Sequence, residues 1–258
     1  IHGTGASTHS WRVLAPLLAQ RFTVIAPDLP GHGVTERTSR RRLSLPGMAA
    51  AVAALVARLD LRPVLVVGHS AGAAILIRCC LDGALTPRAV VSINGALLPF
   101  RGAAGVLFPP LAKLLFLNPL APRLLASSAG DRARVARVIR DTGSELDEAG
   151  VDLYARLFRS PGQVAAALGM MAGWDLHRFA RELPQLDLPL LLIAGQNDRA
   201  VKPVEAERVR RMVSAARLEQ LAGLGHLAHE ESAAPVADLI LEFGAGVLSR
   251  PAAAERVV

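Results

Sequence analysis

Residues 64–72 read VLVVGHSAG, a continuous apolar run that leads directly into a Gly-x-Ser-x-Gly turn. The run predicts a buried strand over residues 64–67, and the apolar residues that follow predict a helix through Leu81. A serine on a sharp strand-to-helix turn has a strained backbone, and its hydroxyl lies where free N–H groups favour negative charge. Ser70 is therefore predicted to be a nucleophile.

Strands and helices alternate along much of the remaining chain. Because the predicted strands are apolar on both faces, they indicate an α/β protein with a mostly parallel sheet flanked by helices. The predicted strands are residues 22–26, 89–93, 188–194 and 218–221, and the predicted helices are residues 11–20, 45–59, 204–213 and 235–247.

Residues 97–186 break this alternation. They contain no convincing strand, but helical patterns occur at residues 111–117, 132–141, 151–159 and 163–171. We therefore predict an α/β core formed by residues 1–96 and 187–258, with residues 97–186 inserted as a helical cap.

A nucleophilic serine needs a base, and the base needs a carboxylate that orients it. Asp198 follows the apolar run that ends at Ala194, at the edge of the sheet where sites of open α/β proteins lie. His226 comes after one further helix and one further strand. The order Ser70, Asp198, His226 is the order of catalytic triads on sheets of this type, and it predicts a triad of these three residues.

Other polar residues compete for these roles. His229 lies three positions after His226, but His226 is nearer the strand end, so we prefer His226 as the base. His69, beside the nucleophile, is expected to pack, and Asp28 precedes the serine in the chain and is expected to stabilise a turn. Asn94 follows the strand after the nucleophile, where some relatives place their acid, but a neutral amide cannot stabilise an imidazolium as a carboxylate does.

An oxyanion hole needs two backbone donors. The N–H of Ala71, directly after the nucleophile, is predicted to be one, and the N–H of Thr4 in the His-Gly-Thr-Gly segment is predicted to be the other, with Gly5 as the alternative. His2 is expected to brace this loop. The histidines and cysteines show no zinc-ligand spacing, so neither a metal site nor a cofactor is predicted.

Composition limits the classes of partner. Hydrophobic residues make up 52% of the chain, which supplies a large core, and 29 Lys and Arg against 22 Asp and Glu give a formal charge of +7. Basic and aromatic residues are not interleaved, which argues against a nucleic-acid partner. The basicity is explained most simply by a general preference for arginine, although contact with an anionic membrane surface or an acidic partner stays open.

The same composition bears on location. Cys79 and Cys80 are neighbours on a predicted helix, so a disulfide between them is not expected. No secretory signal and no run of 18 apolar residues is present, so a cytoplasmic protein without a transmembrane segment is expected. The chain opens directly on Ile1-His2-Gly3, and we expect the first strands of the sheet to be missing from it.

Several motifs together resemble the α/β-hydrolase superfamily. They are HGTGAS, APDLPGHG, VGHSAG, GQND and GLGHLAHEE. A narrower resemblance, carried by INGALLPF and by the cap stretches FPPLAKLLFLNPLAPRLL and DTGSELDEAGVDLYARLFRSP, is to the magnesium-chelatase accessory proteins of bacteriochlorophyll synthesis in phototrophic bacteria. This resemblance implies a role beside the insertion of Mg²⁺ into protoporphyrin IX in photosynthetic pigment synthesis, with magnesium-chelatase subunits as partners.

Three functions follow from these observations. The first is a serine hydrolase of esterase type whose cap residues Phe100, Met170 and Trp174 bind a large hydrophobic ester, although such residues also pack a cap onto a core. The second is a non-catalytic accessory that binds a porphyrin or the chelatase. The third is a generic carboxylesterase, a lyase or a C–C bond hydrolase on the same triad. A dehalogenase is disfavoured because Ser70 stands where an aspartate would be needed. The other large apolar residues of the cap, expected either to bind the ester or to pack the cap onto the core, are Phe108, Phe116 and Met171.

Overall fold

The computed structural model describes residues 1–36, 39–99, 114–115, 117–118, 120–129 and 131–249. Its sheet has four parallel strands in the order β1-β2-β3-β4. They are β1 (Leu65–His69), β2 (Ala89–Ile93), β3 (Leu190–Gly195) and β4 (Ala216–Leu221). The predicted parallel α/β fold is therefore confirmed.

Helices flank this sheet, and most lie where the apolar periodicity predicts them. Ser44 begins α2 by accepting a hydrogen bond from the backbone N–H of Gly47, and a proline in the first turn fits a helix start. Cys79 and Cys80 on α3 are both free thiols. The helices are α1 (Leu14–Leu18), α2 (Leu45–Arg58), α3 (Ala71–Leu81), α4 (Ala121–Ala129), α5 (Arg132–Asp141), α6 (Glu148–Phe158), α7 (Pro161–Gly173), α8 (His177–Glu182), α9 (Pro203–Met212), α10 (Ala228–Glu231) and α11 (Ala233–Leu248), with short 3-10 turns at Thr8–Trp11, Arg40–Leu43 and Leu183–Gln185.

The two faces of the sheet pack on different helices. Successive side chains of a strand point to opposite faces, and β2 shows this alternation. Val90 packs in the cluster that includes α2 and α3, whereas Val91 and Ile93 pack with Trp11, Leu14 and α11. Both faces are buried, which fixes the register and the position of each strand end.

The predicted strand at residues 22–26 is wrong. This segment has no strand structure and is not part of the sheet described above. An apolar cleft of about 420 Å³ lies between residues 22–27 and the outer side of β1. At the far end of this cleft Ile1 pairs with β1: its amino group donates to the Val67 carbonyl (2.6 Å), and the His69 N–H donates to the Ile1 carbonyl (2.9 Å).

Between β2 and β3 the described residues form helices and turns, without a strand. We call residues 97–186 the cap segment. Its helices α5 and α6 pack through Val135, Ile139, Val151 and Tyr154 onto Ala6 and Leu227 of the core. Helices α4 and α8 were not predicted from the sequence, and the helix predicted at residues 111–117 falls largely outside the described residues.

Candidate active site

Ser70 lies at the junction of β1 and α3 in a strained conformation, with φ +51° and ψ −119°. Its N–H donates to the carbonyl of Ile93 (3.0 Å), and its carbonyl accepts from the N–H of Ala96 (3.1 Å). Gly72 lets the chain before β1 come close, because a Cβ there would lie 2.3 Å from the carbonyl oxygen of Ile1. Strain of this kind is maintained only where the surroundings hold it, and it is common at catalytic serines.

Asp198 and His226 are brought together. Oδ2 of Asp198 accepts a hydrogen bond from Nδ1 of His226 (2.8 Å), and Oδ1 accepts from the N–H groups of Ala200 and Val201 (both 2.8 Å). The Asp198 side chain is fully buried. Because the carboxylate can only accept, Nδ1 of His226 must carry the hydrogen, which leaves Nε2 free to take a proton.

Two residues that the sequence did not mark as functional hold the His226 segment. Asn94 has a positive φ of +45°, and its side-chain amide donates to the carbonyls of Gly225 (2.9 Å) and His226 (2.8 Å). Its oxygen accepts from the N–H of Gly195 (2.8 Å), at the end of the strand that leads to Asp198. Nε2 of His69 donates to the same His226 carbonyl (2.8 Å). Asn94 thus connects the end of β2 by hydrogen bonds to the segment that contains His226 and to the end of the strand that precedes Asp198.

The His69 ring contacts the ring of His226 in a tilted arrangement with the ring centroids 4.8 Å apart, which places the imidazole of His226 beside the segment that carries Ser70. Burial holds the pKa of His69 well below its usual value, so this ring is neutral. The hydroxyl of Ser70 makes no hydrogen bond within the described part of the chain. In enzymes without bound substrate, the hydrogen bond between a nucleophile and its base is often long or poorly aligned.

The His2–Gly5 loop lies against Ser70. A Cβ at Gly3 would be 3.0 Å from Cβ of Ser70. Nδ1 of His2 donates to the Gly3 carbonyl (2.8 Å), and its Nε2 accepts from the N–H of Leu29 (2.9 Å), so His2 braces the loop. Burial lowers the pKa of His2 to about 3, which keeps it neutral and able to accept. Ala71 is the first residue of α3, where a backbone N–H has no partner within the helix.

His229 and Asp28, which the sequence offers as alternatives to His226 and Asp198, lie in different environments from that pair. His229 is fully buried between Trp11 and His69, and burial lowers its pKa to about 3. Among the described residues neither of its ring nitrogens has a hydrogen-bond partner. Asp28 accepts from the N–H of Thr8 (2.6 Å) and from the N–H of Val34 (3.0 Å), as a turn-stabilising carboxylate does.

The residues predicted to bind substrate differ in burial. Met170 is fully buried, and its sulfur accepts a weak hydrogen bond from the Thr4 hydroxyl (4.0 Å). Trp174 is half-buried at the end of α7 and packs against the core cluster that contains α2 and α3. Phe100, Phe108 and Phe116 lie outside the described residues.

Glu230 forms a buried polar contact between the core and the cap segment, which the sequence analysis missed. Its carboxyl group accepts from the hydroxyl of Tyr154 on α6 (2.7 Å) and from Arg12 (3.0 Å). The other guanidinium nitrogen of Arg12 pairs with Asp147, the N-cap of α6 (2.8 Å). Burial raises the pKa of Glu230 to about 7.

No group of three or more His, Cys, Asp or Glu side chains is placed to hold a metal ion in the residues that the structure covers. In that same part of the chain, no helix has both the length and the apolar character needed to cross a bilayer.

Comparison with known proteins agrees with this architecture. The sequence profile of the alpha/beta hydrolase family matches residues 1–239, nearly the whole chain. The chain belongs to the alpha/beta hydrolase family. A protein named magnesium-chelatase 30 kDa subunit from Rhodobacter capsulatus is 41% identical over 243 residues, which cover 94% of this chain and 84% of the relative.

Two further proteins are similar to this chain at lower sequence identity. An uncharacterized hydrolase, YugF, from Bacillus subtilis strain 168 is 26% identical, with coverage of 94% of this chain and 88% of the relative. The solved structure of the epoxide hydrolase CorEH without ligand superposes with a TM-score of 0.81 at 23% identity, with coverage of 95% of this chain and 90% of that one. At this identity the likeness shows the fold alone.

Proposed function

We propose that this alpha/beta hydrolase is a serine hydrolase of esterase type in which Ser70, His226 and Asp198 form the catalytic triad. The observation that carries the proposal is the 2.8 Å hydrogen bond between Asp198 and Nδ1 of His226. A buried carboxylate in this position fixes the imidazole in the tautomer that can accept a proton from a serine. Ser70 occupies the strained turn from which a hydroxyl can attack a carbonyl.

The proposed reaction has two halves. The Ser70 oxygen bonds to the ester carbonyl carbon while its proton passes to Nε2 of His226, and the carbonyl oxygen becomes an oxyanion. The N–H groups of Ala71 and Thr4 stabilise that charge, with the N–H of Gly5 as the alternative donor. The intermediate then expels the alcohol, which takes the proton from His226. A water molecule repeats the sequence, releases the acid and restores Ser70.

We further propose that the substrate is a hydrophobic ester and that the cap segment covers it. Met170 lies against Thr4, and Phe158 would be 3.7 Å from a Cβ at Gly5, so apolar cap residues border the proposed oxyanion loop. Trp174 and Phe100 are proposed as further substrate-binding residues. Because the relative from R. capsulatus is named as a magnesium-chelatase subunit, we place the reaction at the magnesium-chelatase step of bacteriochlorophyll biosynthesis, with chelatase subunits as partners.

A fluorophosphonate, which reacts covalently with activated serines, tests the catalytic part. We expect labelling of the wild type and none of Ser70→Ala. Ser92→Ala is the matched control, because Ser92 is a buried serine on β2 outside the turn, and this variant should label like the wild type. An unlabelled wild type, or equal labelling of Ser70→Ala, would refute the triad.

A second candidate function is a non-catalytic accessory of the chelatase. The name of the R. capsulatus relative favours it, as do exposed arginines on α5, Arg134, Arg137 and Arg140, which suit an acidic partner or an anionic membrane surface. The two functions separate in a deletion strain of a pigment-forming host. If the hydrolase function is required, Ser70→Ala fails to restore bacteriochlorophyll; full restoration by this variant would establish the accessory function instead.

A further inference from the structure

Gln163 is a buried polar side chain of the cap segment that the proposed triad does not use. It is the third residue of α7 and is 3% exposed. Its amide nitrogen donates to the carbonyls of Gly5 (3.0 Å) and Ala6 (3.1 Å), and its oxygen accepts from the N–H of Gly33 (2.8 Å). The amide therefore uses both of its N–H groups and its oxygen on backbone of the core.

These contacts connect to the proposed oxyanion donor through two peptide groups. Gln163 holds the Gly5 carbonyl, which belongs to the same peptide group as the N–H of Ala6. That N–H donates to the Gly3 carbonyl (3.2 Å), and the Gly3 carbonyl belongs to the peptide group that carries the N–H of Thr4. Because a peptide group is planar, fixing one end of it fixes the direction of the other.

The same helix contacts this loop a second time. Met170 lies seven residues after Gln163, hence on the same face of α7, and touches the hydroxyl of Thr4. An oxyanion donor stabilises charge only if it is held in place before the charge develops. Helix α7 contacts the loop at two points and so restrains its position.

We propose that Gln163 is a positioning residue of the oxyanion hole, through which the cap segment sets the position of the Thr4 N–H. The inference rests on the proposed function, since it assigns a purpose to the loop only if an oxyanion forms at Ser70. Glutamine is the side chain that fits: a carboxylate would set negative charge against two carbonyl oxygens, and an apolar side chain would leave the two buried carbonyls of Gly5 and Ala6 and the partly buried N–H of Gly33 without this partner.

The test compares Gln163→Met with Ser160→Ala. Ser160 is the N-cap of α7 and accepts from the backbone N–H of Gln163, so its loss weakens the helix and leaves the Gln163 side chain in place. The readouts are kcat and KM on a chromogenic ester and the affinity for an alkyl boronic acid. A boronic acid forms a tetrahedral adduct on the serine and so reports on the oxyanion hole.

For Gln163→Met we expect kcat and the boronic acid affinity to fall together by about tenfold or more, a part of what the loss of a whole donor costs, with KM nearly unchanged. Ser160→Ala should lower the melting temperature but change neither quantity. Unchanged boronic acid affinity in Gln163→Met, or an equal loss in Ser160→Ala, would overturn the inference.

Gln163→Glu keeps the proposal testable if the methionine variant does not fold. When protonated, a glutamate can donate one hydrogen bond to Gly5 or Ala6 and accept one from Gly33. We expect its boronic acid affinity relative to the wild type to recover as the pH falls, and a constant ratio would count against the inference. A wild type that reacts with neither fluorophosphonate nor boronic acid would overturn the proposed function together with this inference; a reactive wild type with an unimpaired Gln163→Met overturns the inference alone.

Discussion

The sheet edge and the cap segment contribute different kinds of groups to the candidate site. Ser70, Asp198 and His226 follow β1, β3 and β4, so the register of a buried sheet fixes where they lie. Gln163 and Tyr154 come from cap helices, and each makes buried hydrogen bonds to core groups beside the proposed site. Under the proposed function, the sheet edge would supply the catalytic groups and the cap segment would restrain their positions.

If this division is right, the largest loss of activity should follow a change at the sheet edge that preserves shape. In Asp198→Asn we expect kcat on a test ester to fall about 10⁴-fold, because the amide favours the wrong tautomer of His226. Steady-state kinetics measure this. Asp28→Asn is the control, since Asp28 is another carboxylate at the end of an extended segment, and its replacement should leave kcat unchanged. An Asp198→Asn variant with wild-type kcat would remove Asp198 from the triad.

A variant at Asn94 is expected to have the next largest effect. Asn94 lies at the sheet edge, but its proposed role is only to hold the Asp198–His226 pair in position. Aspartate at this position cannot donate to the carbonyls of Gly225 and His226 and sets a charge against both. We expect kcat to fall about 10²-fold in Asn94→Asp, as for a misplaced catalytic group. The low-field proton resonance of Nδ1–H in His226 should shift as well.

The double variant Asn94→Asp with Asp198→Asn separates this role from the alternative that position 94 can hold the acid. A supporting role predicts that the double variant is at least as inactive as Asp198→Asn. Recovered activity would mean that a carboxylate at 94 can orient His226, and the role that we give to Asn94 would then be wrong.

The buried contact between Glu230 and the cap segment should affect the free energy of unfolding more than the catalytic rate. Burial raises the pKa of Glu230 to about 7 from an ordinary value of 4.5, so the folded protein keeps a proton that the unfolded chain has lost. The stabilisation is complete below pH 4.5 and is lost as the pH rises towards 7, where Arg12 and Tyr154 face an ionised carboxylate with Asp147 behind Arg12.

Glu230→Gln cannot titrate, so it should lack this pH dependence. We expect the free energy of unfolding of the wild type, relative to Glu230→Gln, to decrease by about 3 kcal/mol between pH 4.5 and pH 8. Urea denaturation across this range measures the difference. Asp152→Asn, which changes an exposed ion pair with Arg132 on the cap segment, should give a curve parallel to the wild type. Parallel curves for the wild type and Glu230→Gln would contradict the buried titration.

The sheet edge was far easier to predict than the cap segment, and the reason is physical. Continuous apolar runs and the turn around Ser70 are local signals, so helix α3 and strand β2 have the predicted bounds, and the contact of Asp198 with His226 follows from where parallel strands end. The strand predicted at residues 22–26 shows the limit: its composition favours a strand, but pairing depends on a neighbour that a local pattern does not contain.

The hydrogen bonds of Gln163, Glu230 and Asn94 could not be predicted from any local pattern in the sequence. Gln163 and Glu230 bond to groups more than 70 positions away in the chain, and a single glutamine or glutamate on a helix is usually a solvent-facing residue. Asn94 was noticed, but only as a failed acid, because donation to two distant carbonyls is visible only in three dimensions. Helix α4 was missed because Pro122 and the serines near its end interrupt its apolar pattern.

The smallest effect is expected at His229, three positions from the proposed base. This ring is buried with no hydrogen-bond partner in the described residues. A neutral imidazole has one N–H group, and burying this group without a partner lowers the stability of the folded protein. In His229→Leu we expect kcat to stay at the wild-type value and the free energy of unfolding to be unchanged or raised by about 1 kcal/mol. Kinetics and urea denaturation measure both quantities.

His226→Leu is the matched control, since the same replacement at the proposed base should abolish turnover and fluorophosphonate labelling. The two variants therefore compare a histidine that is hydrogen-bonded to a carboxylate at the sheet edge with one that is buried behind it without a hydrogen-bond partner among the described residues. If His229→Leu lost activity as His226→Leu does, the tilted ring contact of His69 with His229, whose centroids are 4.5 Å apart, would have to contribute to holding His226, and packing alone would no longer describe His229.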